Sequence, residues 1–308
     1  MCCCSIRLLP SLLFVVSSCC TLAEARVVSV HLQGQLGNQM FEIAAAYAYA
    51  LDHEAELRVP ELLRDLYKWD ITANHKVIFS KVSTATVDHA QCQVFENSSP
   101  YQYVPLPICE GLFIRSLCQN EQYFAHRRKE VLELFDMPGR WEALLERHPF
   151  LSSSRKIGIH LRISCEPERD YPDVHPVFGA MYVEKALDRL PPAEYYIVAS
   201  NNIQMAKWIL RDLPQTFVFM EDTNRFDDLV ILSHCEHLIG TNSSFSWWAA
   251  WLGAQEGRRC IFPLPWLFAN TTPAHPIPAR WETLSCPESI LDVKSFAQSG
   301  FTAIGYKH

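Results

Sequence analysis

Hydrophobic and polar positions fall into alternating blocks from Val27 onward, one kind reading as strand and the other as helix. Val27 to Leu32 is a β-branched apolar run closed by Gly34 and Gly37, and Asn38 to Leu51 is rich in alanine and other helix formers. Strand, glycine turn and helix make the first half of a βαβ unit. From about Lys68 to Gln119 the periodicity is weak and prolines recur, which predicts short strands and loops. Helical spacing returns over Glu121 to Phe135, where Phe124, Val131, Leu132 and Phe135 share a face. A second short helix covers Arg140 to Arg147, and His148 to Ser154, with Pro149 and three serines, reads as a linker.

Beyond that linker the alternation is cleaner. Strands are predicted at Lys156–Leu161, Tyr195–Ala199, Thr216–Met220, His237–Ile239 and Cys260–Pro263. Helices fall between them at Tyr182–Arg189, Ile203–Arg211, Phe226–Ser233 and Phe245–Leu252. Such regularity predicts an α/β fold with parallel sheets covered by helices on both faces. Residues 26–150 and 155–308 then form two domains with a cleft between them. Ligands of open α/β sheets bind outside the carboxyl ends of the strands, so those ends are where chemistry is sought.

Length and composition narrow the classes. The chain has 308 residues, 49% hydrophobic and 20% charged, an ordinary globular balance. Twenty-seven Lys and Arg stand against 34 Asp and Glu, for a net charge of −7. That acidity argues against a nucleic-acid binder, which needs a concentrated basic surface. It does not exclude a small phosphate ligand, for which one or two arginines suffice.

Five of the twelve cysteines lie in the apolar leader, residues 1–25, and the other seven are scattered without the short spacings of zinc or redox sites. Seven cannot all pair within one chain, so the body reads as reduced, with free thiols acting as small core hydrophobes. The leader pulls the other way. Ile6 to Val16 is apolar, Ala23-Glu24-Ala25 resembles a signal cleavage site, and Val16-Ser17-Ser18-Cys19 resembles a lipoprotein box. A short uncleaved anchor and an over-extended start of translation are the other readings, and membrane association through this segment stays open.

Several groups at strand ends are suited to chemistry. Gly34-Gln35-Leu36-Gly37-Asn38-Gln39 allows close backbone approach at a helix N-terminus, with Asn38 either a cap or a ligand contact. His160 and Arg162 close a strand and share a face by its two-residue period. A guanidinium there suits a diphosphate, although Glu166, Glu168 and Asp170 offer an ordinary ion pair. Ser200 and Asn201 read as caps, and Asp227-Asp228 as a first-turn pair complementing a helix dipole. Thr241-Asn242-Ser243-Ser244-Phe245-Ser246-Trp247-Trp248 reads either as a phosphate-holding loop with a stacking ring or as a hydroxyl cap before an aromatic core. There is no DxD, HExxH or paired-cysteine signature, so no metal site is expected. The formal glycosylation acceptors at Asn97, Asn242 and Asn270 read as coincidental.

In combination these motifs resemble glycosyltransferase family 11, the α-1,2-fucosyltransferases. Gly34 to Phe41 (GQLGNQMF) is similar to that family's N-terminal motif, and Gln122-Tyr123-Phe124 to another of its segments. His160-Leu161-Arg162 stands where the family has H-V-R-R-G-D, and Asp228 to His237 resembles its D-L-x-L-M-S-x-C-x-H stretch. Asn242 to Leu252 (NSSFSWWAAWL) is the nearest match, and Pro278 to Trp281 resembles its terminal P-x-x-W. The order of the motifs is preserved from about Val27 to Leu284.

The resemblance implies a GT-B-like architecture, two Rossmann-like domains facing across a cleft, with the acceptor on the N-terminal one and the nucleotide on the C-terminal one. It implies inverting, metal-independent transfer of L-fucose from GDP-fucose to the 2-hydroxyl of a terminal galactose on a glycan. Carried over residue by residue, Arg162 with Ser243 and Ser244 would stabilise the departing phosphate. His160 would contact the nucleotide, Phe245 would lie near base or phosphates, and Asn38 would face the reacting sugar. Asn242 and Asp228 would belong to the donor site. A bacterial version would work at the cytoplasmic face of the membrane, and a Golgi version would keep its leader as an anchor.

Three positions depart from the pattern. The family's second arginine is Ile163 and its aspartate falls at Cys165, while Asn201 stands where related enzymes carry an aspartate after V-A-[ST]. An amide offers guanine one matching acceptor where a carboxylate offers two. A different nucleotide sugar, or a glycan- or nucleotide-binding protein without turnover, are therefore the alternatives, and no catalytic base is named.

Overall fold

The computed structural model describes residues 26–64, 70–163, 174–253, 255–268 and 275–292. The apolar leader, Glu166, Glu168, Asp170 and Asn270 lie outside them. Two sheets, parallel in every pairing, are laid down one after the other along the chain.

The first holds β1 (Val27–Val30), β2 (Glu56–Leu57), β3 (Gln93–Phe95) and β4 (Gly111–Ile114) in the order β2-β1-β4-β3. Helix α1 (Leu36–Asp52) crosses from β1 to β2, and α2 (Ile71–Val77) follows. Next come α3 (Arg128–Leu134) and α4 (Arg140–Arg147). The second sheet holds β5 (Lys156–Leu161), β6 (Tyr195–Ser200), β7 (Phe217–Phe219), β8 (His237–Ile239), β9 (Cys260–Leu264) and β10 (Glu282–Ser285), in the order β10-β9-β8-β5-β6-β7. Its helices are α5 (Ala180–Leu187), α6 (Ile203–Leu210), α7 (Arg225–Ser233) and α8 (Ser244–Leu252).

Each strand order contains one reversal. In the first sheet the chain leaves β1 toward β2 and later returns to β1's other side with β4. In the second it runs β5, β6, β7 and then returns beside β5 with β8. Crevices open at such reversals, outside the carboxyl ends of the strands. The loops that matter are therefore those after β1, β4, β5 and β8.

The expected single helix over Glu121–Phe135 is three pieces, 3-10 turns at Glu121–Tyr123 and Ala125–Arg127 and then α3. Asn120 caps the first turn, and Phe124, with φ −144° and ψ −4°, leaves the helical region. That bend carries its fully buried ring onto Trp248, at 5.2 Å between centroids. The expected linker is also ordered: Pro149–Ser152 forms a 3-10 turn, Leu151 is buried, and Phe150 lies 5.4 Å from Tyr195. Strand β10 escapes the pattern because Glu282–Ser285 mixes polar with apolar positions at a sheet edge. The six described body cysteines are free thiols.

One apolar core runs through both halves, centred on α8. Trp247, Trp248 and Trp251 are at most 1% exposed. Phe41 of α1 lies 4.4 Å from Trp247 and 5.1 Å from Trp248. On the far flank Arg128 donates to the Trp251 carbonyl at 2.6 Å and its guanidinium sits 4.2 Å above the indole. Trp251 Nε1 donates to Glu121, which also accepts from Arg280 at 2.7 Å. Buried tryptophans of this size dominate the energetics of an interface. The two sheets are thus joined by a tryptophan seam beneath their facing loops.

Candidate functional site

The carboxyl ends of β5 and β8 are tied across the reversal by one hydroxyl. Thr241 Oγ1 accepts from the Arg162 backbone N–H at 2.9 Å and donates to the His160 carbonyl at 3.2 Å. His160 is buried, with Nδ1 2.5 Å from Ser246 Oγ and its ring 4.9 Å from that of Phe245. Arg162 points away from its own sheet, and Nη1 donates to Gln35 Oε1 of the first half at 3.3 Å.

The loop after β8 turns directly into α8. Ser243 caps that helix, its hydroxyl accepting from the Phe245 N–H at 3.2 Å. Ser244 Oγ donates to Asn38 Oδ1 at 2.7 Å, and Gln119 Nε2, from the loop after β4, donates to the same oxygen at 2.8 Å. Gly37 is required here, because a Cβ on it would come within 2.6 Å of the Ser244 and Phe245 backbone. Trp248 Nε1 donates to the Gly37 carbonyl at 3.0 Å, fixing the same approach from below. Gly34 adopts φ +68°, the left-handed region glycine enters without strain. The N-termini of α1 and α8 therefore abut, and backbone N–H groups at helix starts favour anions.

The loop after β1 is held differently, by two buried carboxylates. Glu61 accepts from the Leu32 N–H at 2.9 Å and from His31 Nδ1 at 3.0 Å. Glu42, inside α1, accepts from the Gln33 N–H at 3.1 and 3.2 Å. Burial pushes the Glu42 carboxyl well above the usual carboxylate range, with the nearby Glu61 charge adding to the rise. Gln39 completes the turn: it donates to the Gly34 carbonyl at 2.8 Å and accepts from Asn74 Nδ2 at 2.8 Å. Arg225 of α7 reaches across to Asn74 Oδ1 at 3.1 Å and Asp70 at 3.3 Å.

Of the expected residues, His160, Arg162, Ser243, Ser244, Phe245 and Asn38 converge. Asn242 and Asp228 are engaged elsewhere. Asn242 is buried and donates to the Trp266 carbonyl at 3.1 Å, so it shapes the loop. Asp228 is buried against Thr223 Oγ1 at 2.5 Å. Asp227 takes the dipole role expected of that pair, closing a capping box with Asn224 and pairing with Arg147 at 3.0 Å. Of the two readings of the Thr241 loop, the cap before an aromatic core is seen directly: Ser243 caps α8 and the tryptophans are core, while Ser244 reaches Asn38 of the other half.

Two of the three positions that depart from the family pattern, Ile163 and Asn201, meet. Asn201 Oδ1 accepts from the Ile163 N–H at 2.9 Å and Nδ2 donates to the Ile163 carbonyl at 2.9 Å. Both ends of the amide are spent on backbone, and Ile163 is in the second sheet's core. Sequence reasoning missed Thr241 and Ser246 as connectors, along with Glu42, Glu61 and Arg225. Glu42 carried a signal, a lone acid inside an alanine-rich apolar helix. Glu61 and Arg225 carried none, since their partners lie 29 and 151 residues away. Among the described residues no three His, Cys, Asp or Glu side chains gather as a metal site.

Residues 150–263, which carry β5 to β9 and the loops just described, match the family model of glycosyl transferase family 11. Over that stretch the chain is similar to the family 11 glycosyltransferases. An alpha-1,2-colitosyltransferase of Escherichia coli is 22% identical over 295 residues, 83% of this chain and 98% of that protein. A galactoside alpha-(1,2)-fucosyltransferase 2 of Oryctolagus cuniculus is 25% identical over 248 residues, covering 73% of this chain and 66% of the relative. The crystal structure of the fucosyltransferase NodZ from Bradyrhizobium superposes with a TM-score of 0.50 at 14% identity, over 74% of this chain and 93% of that one. The fold is GT-B-like, and the matched stretch includes the loops after β5 and β8. No helix among the described residues is long and apolar enough to cross a membrane.

Proposed function

We propose that this glycosyltransferase moves L-fucose from GDP-fucose to the 2-hydroxyl of a terminal galactose, with inversion and without a metal. The observation that carries the reading is the meeting of Arg162 and the Ser243-Ser244 turn with Gln35 and Asn38 of the opposite half. A diphosphate in that junction would face a fixed guanidinium, two serine hydroxyls and two helix N-termini. As the glycosidic bond breaks, negative charge grows on the leaving phosphate, and preorganised donors of this kind lower the barrier without reorganising. His160, locked by Ser246, would present its ring edge beside Phe245, a surface suited to the nucleotide. Asn38, whose oxygen already receives two donors, would hold its amide N–H toward the sugar.

A second reading is favoured by Asn201. Its amide is occupied by Ile163, so no carboxylate stands where the related enzymes are expected to read guanine. A donor with another base or a related deoxy sugar fits that feature, and one relative is a colitosyltransferase. Incubating the protein with GDP-fucose and lactose tests the first reading: fucosylated lactose and free GDP are expected, and neither appearing overturns it. A thermal-shift panel of GDP, UDP, ADP and CMP separates the second, which requires the largest stabilisation from a nucleotide other than GDP. Stabilisation by GDP with no turnover would instead indicate a binding protein.

A further inference from the structure

We propose that His31, oriented by Glu61, is the catalytic base that takes the proton from the acceptor hydroxyl. The proposal rests on the transferase reading above and adds the residue that reading leaves unnamed. His31 extends β1, its N–H donating to the Ile114 carbonyl at 2.9 Å, so it stands at the carboxyl edge of the first sheet beside the reversal between β1 and β4. Three residues later comes Gly34, the start of the turn that meets Arg162 and Ser244. The imidazole side chain is 38% exposed while that of Glu61 is 7% exposed. A ring reachable from solvent is thus tethered to a buried carboxylate.

The tether decides the tautomer. With Nδ1–H donated to Glu61 Oε1 at 3.0 Å, the lone pair is left on Nε2, the atom that would accept a proton. The second Glu61 oxygen is held by the Leu32 N–H at 2.9 Å, so neither ring nor carboxylate swings freely. A base oriented by a third group, within reach of the atom it activates, is the general arrangement for activating a hydroxyl. Other titratable groups facing this face of β1 are Glu42 of α1, whose carboxyl is pushed up by burial and by the Glu61 charge, and His89, 3.4 Å from Ser29 Oγ two residues before His31.

In the step, Nε2 of His31 accepts the proton of the acceptor O–H as that oxygen bonds to the anomeric carbon of the nucleotide-activated sugar. The bond from that carbon to the phosphate oxygen breaks, the nucleoside diphosphate leaves with the electron pair, and the imidazolium returns its proton to water. His31 is a catalytic residue in this scheme and Glu61 a positioning residue.

The test uses the full chain with the donor and acceptor the wild type turns over. His31→Gln is expected to lower kcat by about 10²-fold, leave the donor KM and the GDP-induced thermal shift unchanged, and abolish the rise of kcat with pH. His31→Ala should recover activity with added imidazole, which separates lost chemistry from lost folding. Glu61→Gln, which no longer presents a carboxylate to Nδ1–H and so leaves the ring's tautomer unfixed, should lower kcat by less than His31→Gln while leaving the donor KM unchanged. Wild-type kcat in His31→Gln, an unchanged pH limb, or failure of imidazole to rescue a folded His31→Ala overturns the base while leaving the transferase reading intact. A wild type that turns over no nucleotide sugar overturns both together.

Discussion

Two loops occupy equivalent places, one after β1 and one after β8, each closing a strand at a reversal of its sheet and opening a helix. Their chemistry is opposite. The loop after β8 is held by hydroxyls and lies beside His160 and Arg162. The loop after β1 is held by Glu42 and Glu61, both buried and both accepting backbone N–H groups. Donors and a cation favour an anion that leaves, whereas carboxylates favour a proton that is taken. The two loops meet where Gly37 packs on Ser244.

The largest expected effect comes from removing what sets their separation. Trp248→Ala empties a fully buried site and drops the Nε1 bond to Gly37. It should cost about 3–5 kcal/mol in urea unfolding, with probes in the two halves losing structure together. Separate transitions would mean the seam does not couple them. Arg162→Ala strikes the cationic loop alone. Turnover should fall by roughly 10²–10³-fold, the scale of losing one preorganised donor, with the melting temperature nearly unchanged, since Arg162 is only partly buried.

Gly37→Ala tests the contact itself. The added methyl would press on the Ser244–Phe245 backbone, costing about 1–3 kcal/mol as overpacking does and slowing turnover by separating the loops. Wild-type kinetics would show that the contact carries no function. Glu42→Gln should have the smallest effect and the most diagnostic sign. Burial raises the Glu42 pKa in the folded state, so its contribution is present below the unfolded-state pKa and lost as pH rises through the folded one. The variant, neutral throughout, should gain on the wild type in urea midpoint as pH climbs from acid to neutral. A constant difference would contradict the burial argument.

The hydroxyl-rich loop after β8 was legible in the sequence and the carboxylate loop was not. His160, Arg162 and the serines lie within two residues of a strand end or a helix start, so local pattern placed them. Glu61 sits in a 3-10 turn with no strong pattern, and its partners His31 and Leu32 are 30 and 29 residues away. The Thr241–Trp248 stretch read either as a phosphate loop with a stacking ring or as a hydroxyl cap before an aromatic core, and the approach of Phe41 and Phe124 places the tryptophans in the core. Residues 121–135 looked helical because Phe124, Val131 and Phe135 keep helical spacing. All three are buried as that spacing requires, yet the chain bends at Phe124 to bring them there.

Calorimetric titration of GDP into the wild type and Arg162→Ala tests the central claim most directly, that the junction of these loops seats a nucleoside diphosphate. The account predicts saturable, one-to-one binding by the wild type and at least tenfold weaker binding by the variant. A wild type that binds no GDP, UDP or ADP, or a variant that binds as tightly as the wild type, would contradict it.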